Sequence, residues 1–255
     1  MILQVKVWQW IVLCVFAYLL FLIAYIPASY VADFVQKQSQ GQVRLSNVTG
    51  TLFEGNASII EANGFQVNNL DWRLNPWALL ILRANIDVNG GAIRNSEQIY
   101  LKGKASLSLF SPESFTLTDS QIFVPAKSVL SQFTLPVTVT ASGRFRVDLE
   151  SLEMSPTCIS LMGRGAWLNA RVDTPTQPVE LGNFEASLSC DNGTLNVQVL
   201  PDNTLNLDAK ISVNQDGKYA ANGQFRPDAE LPPVIRQAAD SIFPKNPQGF
   251  YILRL

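Results

Sequence analysis

The sequence contains no histidine. That absence removes Ser-His-Asp and Cys-His catalysis, histidine general bases and every histidine-ligated metal site. Cysteine is scarce too. Cys14, Cys158 and Cys190 are the only three, with no CxxC spacing, which excludes zinc ribbons and thioredoxin-type redox motifs. Charged residues make up only 16%, well under the usual quarter. Nineteen basic residues against 21 acidic ones give a net charge of −2, so no basic face for nucleic acid is expected. The signatures GxxxxGKS/T, GxGxxG and GxSxG are missing. Glu54, Glu61, Asp71 and Asp87 are scattered with no spacing that makes an acid/base pair. The expectation is a protein without catalytic residues, cofactor or metal.

Apolar residues are present in quantity, 47% of 255 positions. Residues 8–26 form a 19-residue run that is apolar except for Gln9, with amphipathic Tyr18 and Tyr25. As a helix it would reach about 28 Å, close to the hydrocarbon thickness of a bilayer. Trp8 and Trp10 stand at one end, Tyr25 and Tyr30 at the other, where aromatic belts belong. A buried core helix is rarely so uniformly apolar. A cleaved signal peptide is the stronger rival, but signal h-regions run about 7–15 residues and end at a small-x-small site. This run is longer, and Ile26-Pro27-Ala28-Ser29-Tyr30 holds no Ala-x-Ala. The reading is a single uncleaved anchor, bounded by Trp8, Trp10, Tyr25 and Ile26. The N-terminal amine and Lys6 precede it, which favours a cytoplasmic N-terminus. Residues 1–33 are then stub and anchor, and 34–255 an exported domain.

Cys14 falls inside the anchor, leaving Cys158 and Cys190 as an even pair in an oxidising compartment. Both follow apolar alternation. A bridge on neighbouring strands is expected, with two buried free thiols as the alternative.

The exported part alternates with period two. Leu205, Leu207, Ala209, Ile211 and Val213 interleave with polar residues, as a half-buried strand requires. Leu135, Val137, Val139, Ala141, Phe145, Val147 and Leu149 hold one phase through Gly143. Ile99, Leu101, Ala105, Leu107 and Leu109 do so around Gly103, and Leu195, Val197 and Val199 form another run. Phe65 and Val67 change phase to Leu70, Trp72 and Leu74 across Asn68-Asn69, which reads as a β-bulge. Asn63-Gly64, Asn89-Gly90, Asn192-Gly193, Asp216-Gly217 and Asn222-Gly223 supply tight-turn chemistry. This is an all-β chain with an antiparallel, largely meandering sheet.

Helices are few. Asn75 with Pro76 caps a short turn at Trp77. Residues 127–133 are a second candidate, and residues 231–243, opened by Pro232-Pro233 and stopped by Pro244, are the best soluble helix. A last strand at 250–255 closes the chain. The break at 174–178 is a hinge candidate between halves of one elongated domain.

Periodicity alone leaves a sandwich, a barrel and a trough open. Area favours an elongated, twisted and curved sheet, a trough or half-barrel. Exposing several apolar strand faces would cost tens of kcal/mol at roughly 25 cal/mol per Å², and the helix at 231–243 is long enough to cap only one end.

Several segments in order resemble the type II secretion system protein N family. Val48-Thr49-Gly50-Thr51-Leu52-Phe53-Glu54-Gly55-Asn56-Ala57 is similar to its Gly-Thr-Leu-Trp-x-Gly-x-Ala, with Phe53-Glu54 where Trp and a small polar residue are usual. Leu70-Asp71-Trp72-Arg73-Leu74-Asn75-Pro76 followed by Ala78-Leu79-Leu80 is similar to its Trp-x-Leu-x-Pro-x-x-Leu-Leu. The cysteine segments through Gly165-Ala166-Trp167 and Asn192-Gly193-Thr194-Leu195 match its later half, and Gly217-Lys218-Tyr219, Gly223 and Pro227 continue the match to the closing helix and strand. Gly50, Thr51, Leu52, Gly55, Trp72 and Pro76 are the motif positions. The resemblance implies a single-pass accessory component in the bacterial inner membrane. It would be non-catalytic and would contact other secretion subunits in the periplasm. A more distant resemblance to AsmA-type proteins implies the alternative, an apolar-ligand or lipid-binding groove.

Overall fold

The computed structural model describes residues 7–111, 113–132, 140–174, 177–214 and 218–254. Two helices come first, α1 (Val7–Ala24) and α2 (Ala28–Gln38). Six strands follow, β1 (Val43–Gly50), β2 (Glu54–Ala62), β3 (Phe65–Leu74), β4 (Arg83–Gly90), β5 (Tyr100–Ser108) and β6 (Phe115–Pro125), with the short α3 (Pro76–Leu79) between β3 and β4. After α4 (Ala126–Leu130) come the long strands β7 (Thr140–Ser155), β8 (Thr157–Asp173) and β9 (Pro178–Asp191). The chain ends with β10 (Thr194–Val199), β11 (Asp208–Val213), β12 (Tyr219–Phe225), α5 (Pro233–Ile242) and β13 (Tyr251–Arg254).

All 13 strands form one sheet in sequence order, every neighbour antiparallel, with β1 and β13 left as edges. The sheet is therefore open, neither a closed barrel nor two packed layers. The chain exposes 16818 Å², where a compact monomer of 28.1 kDa would expose about 11,000 Å². No large side chain among the described residues is less than 2% exposed. The fold is a single extended layer with local clusters rather than one deep core.

The register keeps apolar and polar residues in separate rows. One row runs Gly90, Leu101, Ile122, Val147, Gly165, Ala186, Val199, Ala209, Gly223, Leu253 across ten strands. The neighbouring residue on each strand points to the opposite face. There the row is Asn89, Lys102, Gln121, Asp148, Arg164, Ser187, Gln198, Lys210, Asn222, Arg254. This segregation is the physical content of the period-two pattern.

Helices cover little of the sheet. Ala28 and Ala32 of α2 are buried, and α2 packs along β1, shielding that edge. At the other end of the chain, Leu231, Val234 and Ile235 pack on Ala170, Val179, Leu181 and Phe184, while Ala239 packs on Phe225 and Tyr251. Helix α5 thus caps the apolar face at the end of the sheet holding Asp173–Pro178 and Tyr251. A second cluster, Leu149, Leu152, Cys158 and Leu161 with Leu188, Cys190 and Leu195, sits toward the opposite end.

Several local expectations are corrected. Asn63-Gly64 and Asn192-Gly193 are the tight turns expected, with φ of 49° and 82°, 50° and 78°. Asn222-Gly223 instead lies inside β12. A Cβ on Gly223 would sit 2.5 Å from the Asp208 carbonyl oxygen, so glycine there permits close strand approach. Asn89-Gly90 ends β4 and the positive φ falls on Gly91. Asp216-Gly217 lies outside the described residues. The Asn68-Asn69 irregularity is a left-handed Asn69 (φ 49°), and the β2–β3 register passes it unshifted. Leu205 and Leu207 leave the expected strand because Asn203 Oδ1 accepts from both their backbone N–H groups.

The expected strand at 135–149 begins at Thr140; residues 133–139 lie outside the described set. The 174–178 break joins β8 to β9, whose pairing runs from Gly163–Leu188 to Asp173–Pro178. Residues 175 and 176 lie outside the described set. Helix α1 has 18 residues, and among the described residues it has no substantial packing partner on the sheet. Among the described residues no helix is long and apolar enough to cross a membrane, and several side chains along α1 fall outside that set.

Candidate functional site

The motif positions converge on one corner of the sheet. Gly50 takes φ +92°, which turns the chain from β1 into β2. Thr51 accepts the Glu54 N–H on Oγ1 at 3.3 Å, while its own N–H donates to the Glu54 carbonyl at 2.8 Å. The Leu52 N–H donates to the Ile26 carbonyl at 2.9 Å, and Pro27 pairs with Thr51. The Leu52 carbonyl accepts from Trp72 Nε1 at 3.2 Å, and the Phe53 carbonyl from the Leu74 N–H at 2.7 Å. A Cβ on Gly55 would lie 2.3 Å from Trp72 Cζ2, so glycine lets the indole lie flat on β2. Asn75 Oδ1 accepts the Trp77 N–H at 3.0 Å with Pro76 in the first turn of α3. A continuous hydrogen-bonded path therefore links the end of the apolar N-terminal run to the β3–β4 connection.

The remaining site residues separate. Trp8, Trp10 and Tyr25 are exposed on or just after α1. Cys158 and Cys190 form a disulfide, with Cα atoms 5.7 Å apart, between β8 and β9; Cys14 is free and exposed.

The polar face carries a ladder of ion pairs. Arg73 Nη2 meets Glu54 Oε1 at 2.9 Å, Lys104 Nζ meets Asp119 Oδ2 at 3.0 Å, and Arg146 Nε meets Asp148 Oδ2 at 2.6 Å. The hydrogen bonds to Glu54 and to Asp119 hold Arg73 and Lys104 above their ordinary pKa values. Glu54, Arg73, Lys104 and Asp119 line a shallow depression of about 870 Å³ with Asp71, Asp87 and Lys102. Its four carboxylates, Glu54, Asp71, Asp87 and Asp119, face three cations, Arg73, Lys102 and Lys104, which leaves one negative charge on an open surface. Among the described residues no group of three carboxylates or cysteines is placed to ligate a metal.

Arg144 has a role that its sequence context does not reveal. Its Nη1 donates to the Ile93 carbonyl at 2.7 Å and its Nη2 to the Gln98 carbonyl at 3.3 Å, with the guanidinium 4.7 Å above the Phe123 ring. It fixes the β4–β5 loop to β7, across separations of 51 and 46 residues. Burial lowers its pKa, and it stays charged.

At the capped end, Asp240 of α5 accepts from Tyr251 Oη at 3.0 Å and pairs with Lys245 at 2.5 Å. The Lys245 hydrogen bond, then that of Tyr251, holds the Asp240 carboxyl below its usual range. A depressed folded-state pKa contributes stability above the unfolded value that fades as pH falls through the folded one. Asp240→Asn is expected to lower the urea midpoint at neutral pH, with the difference from the parent shrinking to nothing in strong acid. Urea melts of both proteins along a descending pH series check this; a pH-independent difference would contradict it.

The type II secretion system protein N family model matches residues 41–254. The chain is 26% identical over 242 residues to the type II secretion system protein N of Aeromonas hydrophila, covering 93% of each chain. It is 24% identical over 211 residues to that of Vibrio cholerae serotype O1, covering 82% of each. The Pectobacterium carotovorum protein is 26% identical over 237 residues, 92% of this chain and 90% of the relative. No solved structure matches. The match takes in all 13 strands, the corner built on Gly50, Gly55 and Trp72, and both bridged cysteines, and on that extent the chain belongs to the type II secretion system protein N family.

Proposed function

We propose that the chain is a non-catalytic accessory component of the type II secretion system, held in the inner membrane by α1, with the N-terminus cytoplasmic and the sheet in the periplasm. The family match over residues 41–254 carries the secretion role. The apolar run at 8–26, with Lys6 before it, supports the anchor and its direction. The Cys158–Cys190 bridge suits an oxidising compartment. Contacts with other secretion subunits then form in the periplasm.

The test is crosslinking in cells. A photoactivatable residue at exposed positions such as Ile159 and Met162 should give adducts containing other secretion subunits, identified by mass spectrometry. Carbonate washing should leave the chain in the membrane. Adducts that never contain a secretion subunit would overturn the partner reading, and release by carbonate would overturn the anchor.

One observation favours a second reading, a groove for a lipid or other apolar ligand. Leu101, Ile122, Val147 and Val199 of the apolar row are only half-buried, with no second sheet above them. A trough of this kind leaves apolar area for an acyl chain to cover. Lipid extracted from the purified chain, and lost in Val147→Asp, would support it.

A further inference from the structure

Two connections beside the corner carry large apolar side chains in water. In the β3–β4 connection Trp77 is 75% exposed, Leu80 74%, Ile81 69% and Leu82 45%; in the β5–β6 connection Leu109 is 50% exposed and Phe110 79%. The Leu109 N–H donates to the Leu82 carbonyl at 3.0 Å, so the two connections form one patch. Residues 74–82 and 105–111 contain no charged side chain, and Arg73, Arg83, Lys104 and Glu113 flank them. Single exposed apolar residues are ordinary, but a contiguous patch of this kind marks a contact.

We propose that this patch is a second membrane contact, seated in the interface of the bilayer that receives α1. The inference rests on the anchor reading of α1. Its occupant is a lipid surface because of where α1 ends. The Ile26 carbonyl accepts from Leu52 at the β1–β2 turn, and Leu52 and Phe53 hold Trp72 and Leu74, which lead into α3. Neighbouring strands are about 4.8 Å apart, so the patch begins roughly 10–15 Å from the point where the helix leaves the bilayer. A membrane plane at Ile26 therefore runs beneath the same sheet end. Trp77 supplies the amphipathic ring that favours the headgroup level, and Arg83 is exposed beside it, placed for lipid phosphates. Sheet twist carries later strand ends out of that plane. The later connections at this end are correspondingly polar, Ser155-Pro156-Thr157 and Asp191-Asn192-Gly193. The contact would stand the first six strands upright on the membrane, where the anchor alone would leave the sheet free to swing.

The test uses the full chain in vesicles of phosphatidylethanolamine and phosphatidylglycerol, in a Cys14→Ser background with the Cys158–Cys190 bridge intact. Nitroxides are placed singly through Leu80→Cys, Phe110→Cys, Tyr25→Cys and Asn63→Cys. The readout is accessibility to oxygen relative to a water-soluble nickel chelate. Positions 80 and 110 are expected to give a ratio several-fold above that at 63, which lies at the opposite end of the sheet. A bilayer signal at 25 with a watery one at 80 and 110 overturns this inference and leaves the anchor standing, pointing to a protein partner for the patch. A watery signal at 25 sinks the anchor reading and this inference with it. Leu80→Asp combined with Phe110→Asp, read from Ile81→Cys, should bring the ratio down to that at 63; an unchanged ratio overturns the contact.

Discussion

Replacing both Cys158 and Cys190 by serine is expected to lower the unfolding free energy by about 3–4 kcal/mol in the chain-entropy description of a loop this long, the two cysteines being 32 residues apart. The bridge sits where the hydrogen-bonded ladder gives out. Strands β8 and β9 pair from Asp173–Pro178 only as far as Gly163–Leu188. Beyond that, an isolated bridge between Cys158 and Gly193 and the disulfide itself tie residues 157–162 to the β9–β10 turn. Both sulfurs also belong to the cluster of Leu149, Leu152 and Leu161, so the variant loses packing as well as constraint. Urea titration followed by circular dichroism measures the loss. Amide exchange should report it locally, with residues 157–162 and 189–195 losing protection first. A change below about 1 kcal/mol would mean that the unfolded chain is already restricted there.

The strands were readable because the sheet separates its faces. Leu101, Ile122, Val147 and Val199 alternate with Lys102, Gln121, Asp148 and Gln198, a segregation kept from strand to strand although the β5–β6, β7–β8 and β8–β9 pairs shift register. Asn75 and Pro76 announced α3, and the flanking prolines announced α5. Helix α2 was not legible. Its buried side is only Ala28 and Ala32, while Tyr30 and Phe34 are exposed, so size and hydropathy point the wrong way. Asn222-Gly223 has the composition of a turn, and only the closeness of Asp208 and Ala209 explains a glycine inside a strand. The corner itself is a product of register. Gly55 lies opposite Trp72, and Ile26 meets Leu52, through pairings between residues 17 and 26 positions apart. Sequence motifs named these residues, but nothing local says that they touch.

Phe184→Ala is expected to cost about 3 kcal/mol, and Phe110→Ala less than about 0.5 kcal/mol in detergent solution. The two phenylalanines are chemically the same and differ in what surrounds them. Phe184 is 5% exposed and Phe110 79%. The Phe184 ring stacks on Trp167 at 5.5 Å, Trp167 stands 5.5 Å from Phe145, and Leu231 ahead of α5 joins Val179 and Leu181 around them. Truncating Phe184 leaves a cavity beneath α5, and a thin sheet has few neighbouring side chains able to relax into it. Trp167→Ala should cost a similar amount, and the double variant less than the sum, because the two rings share one contact. Urea melts of the parent and the four variants give these differences. A Phe184 effect as small as that of Phe110 would mean that α5 does not rest on the sheet in solution. The apolar face would then be open over Ala170, Val179, Leu181 and Phe184 as well.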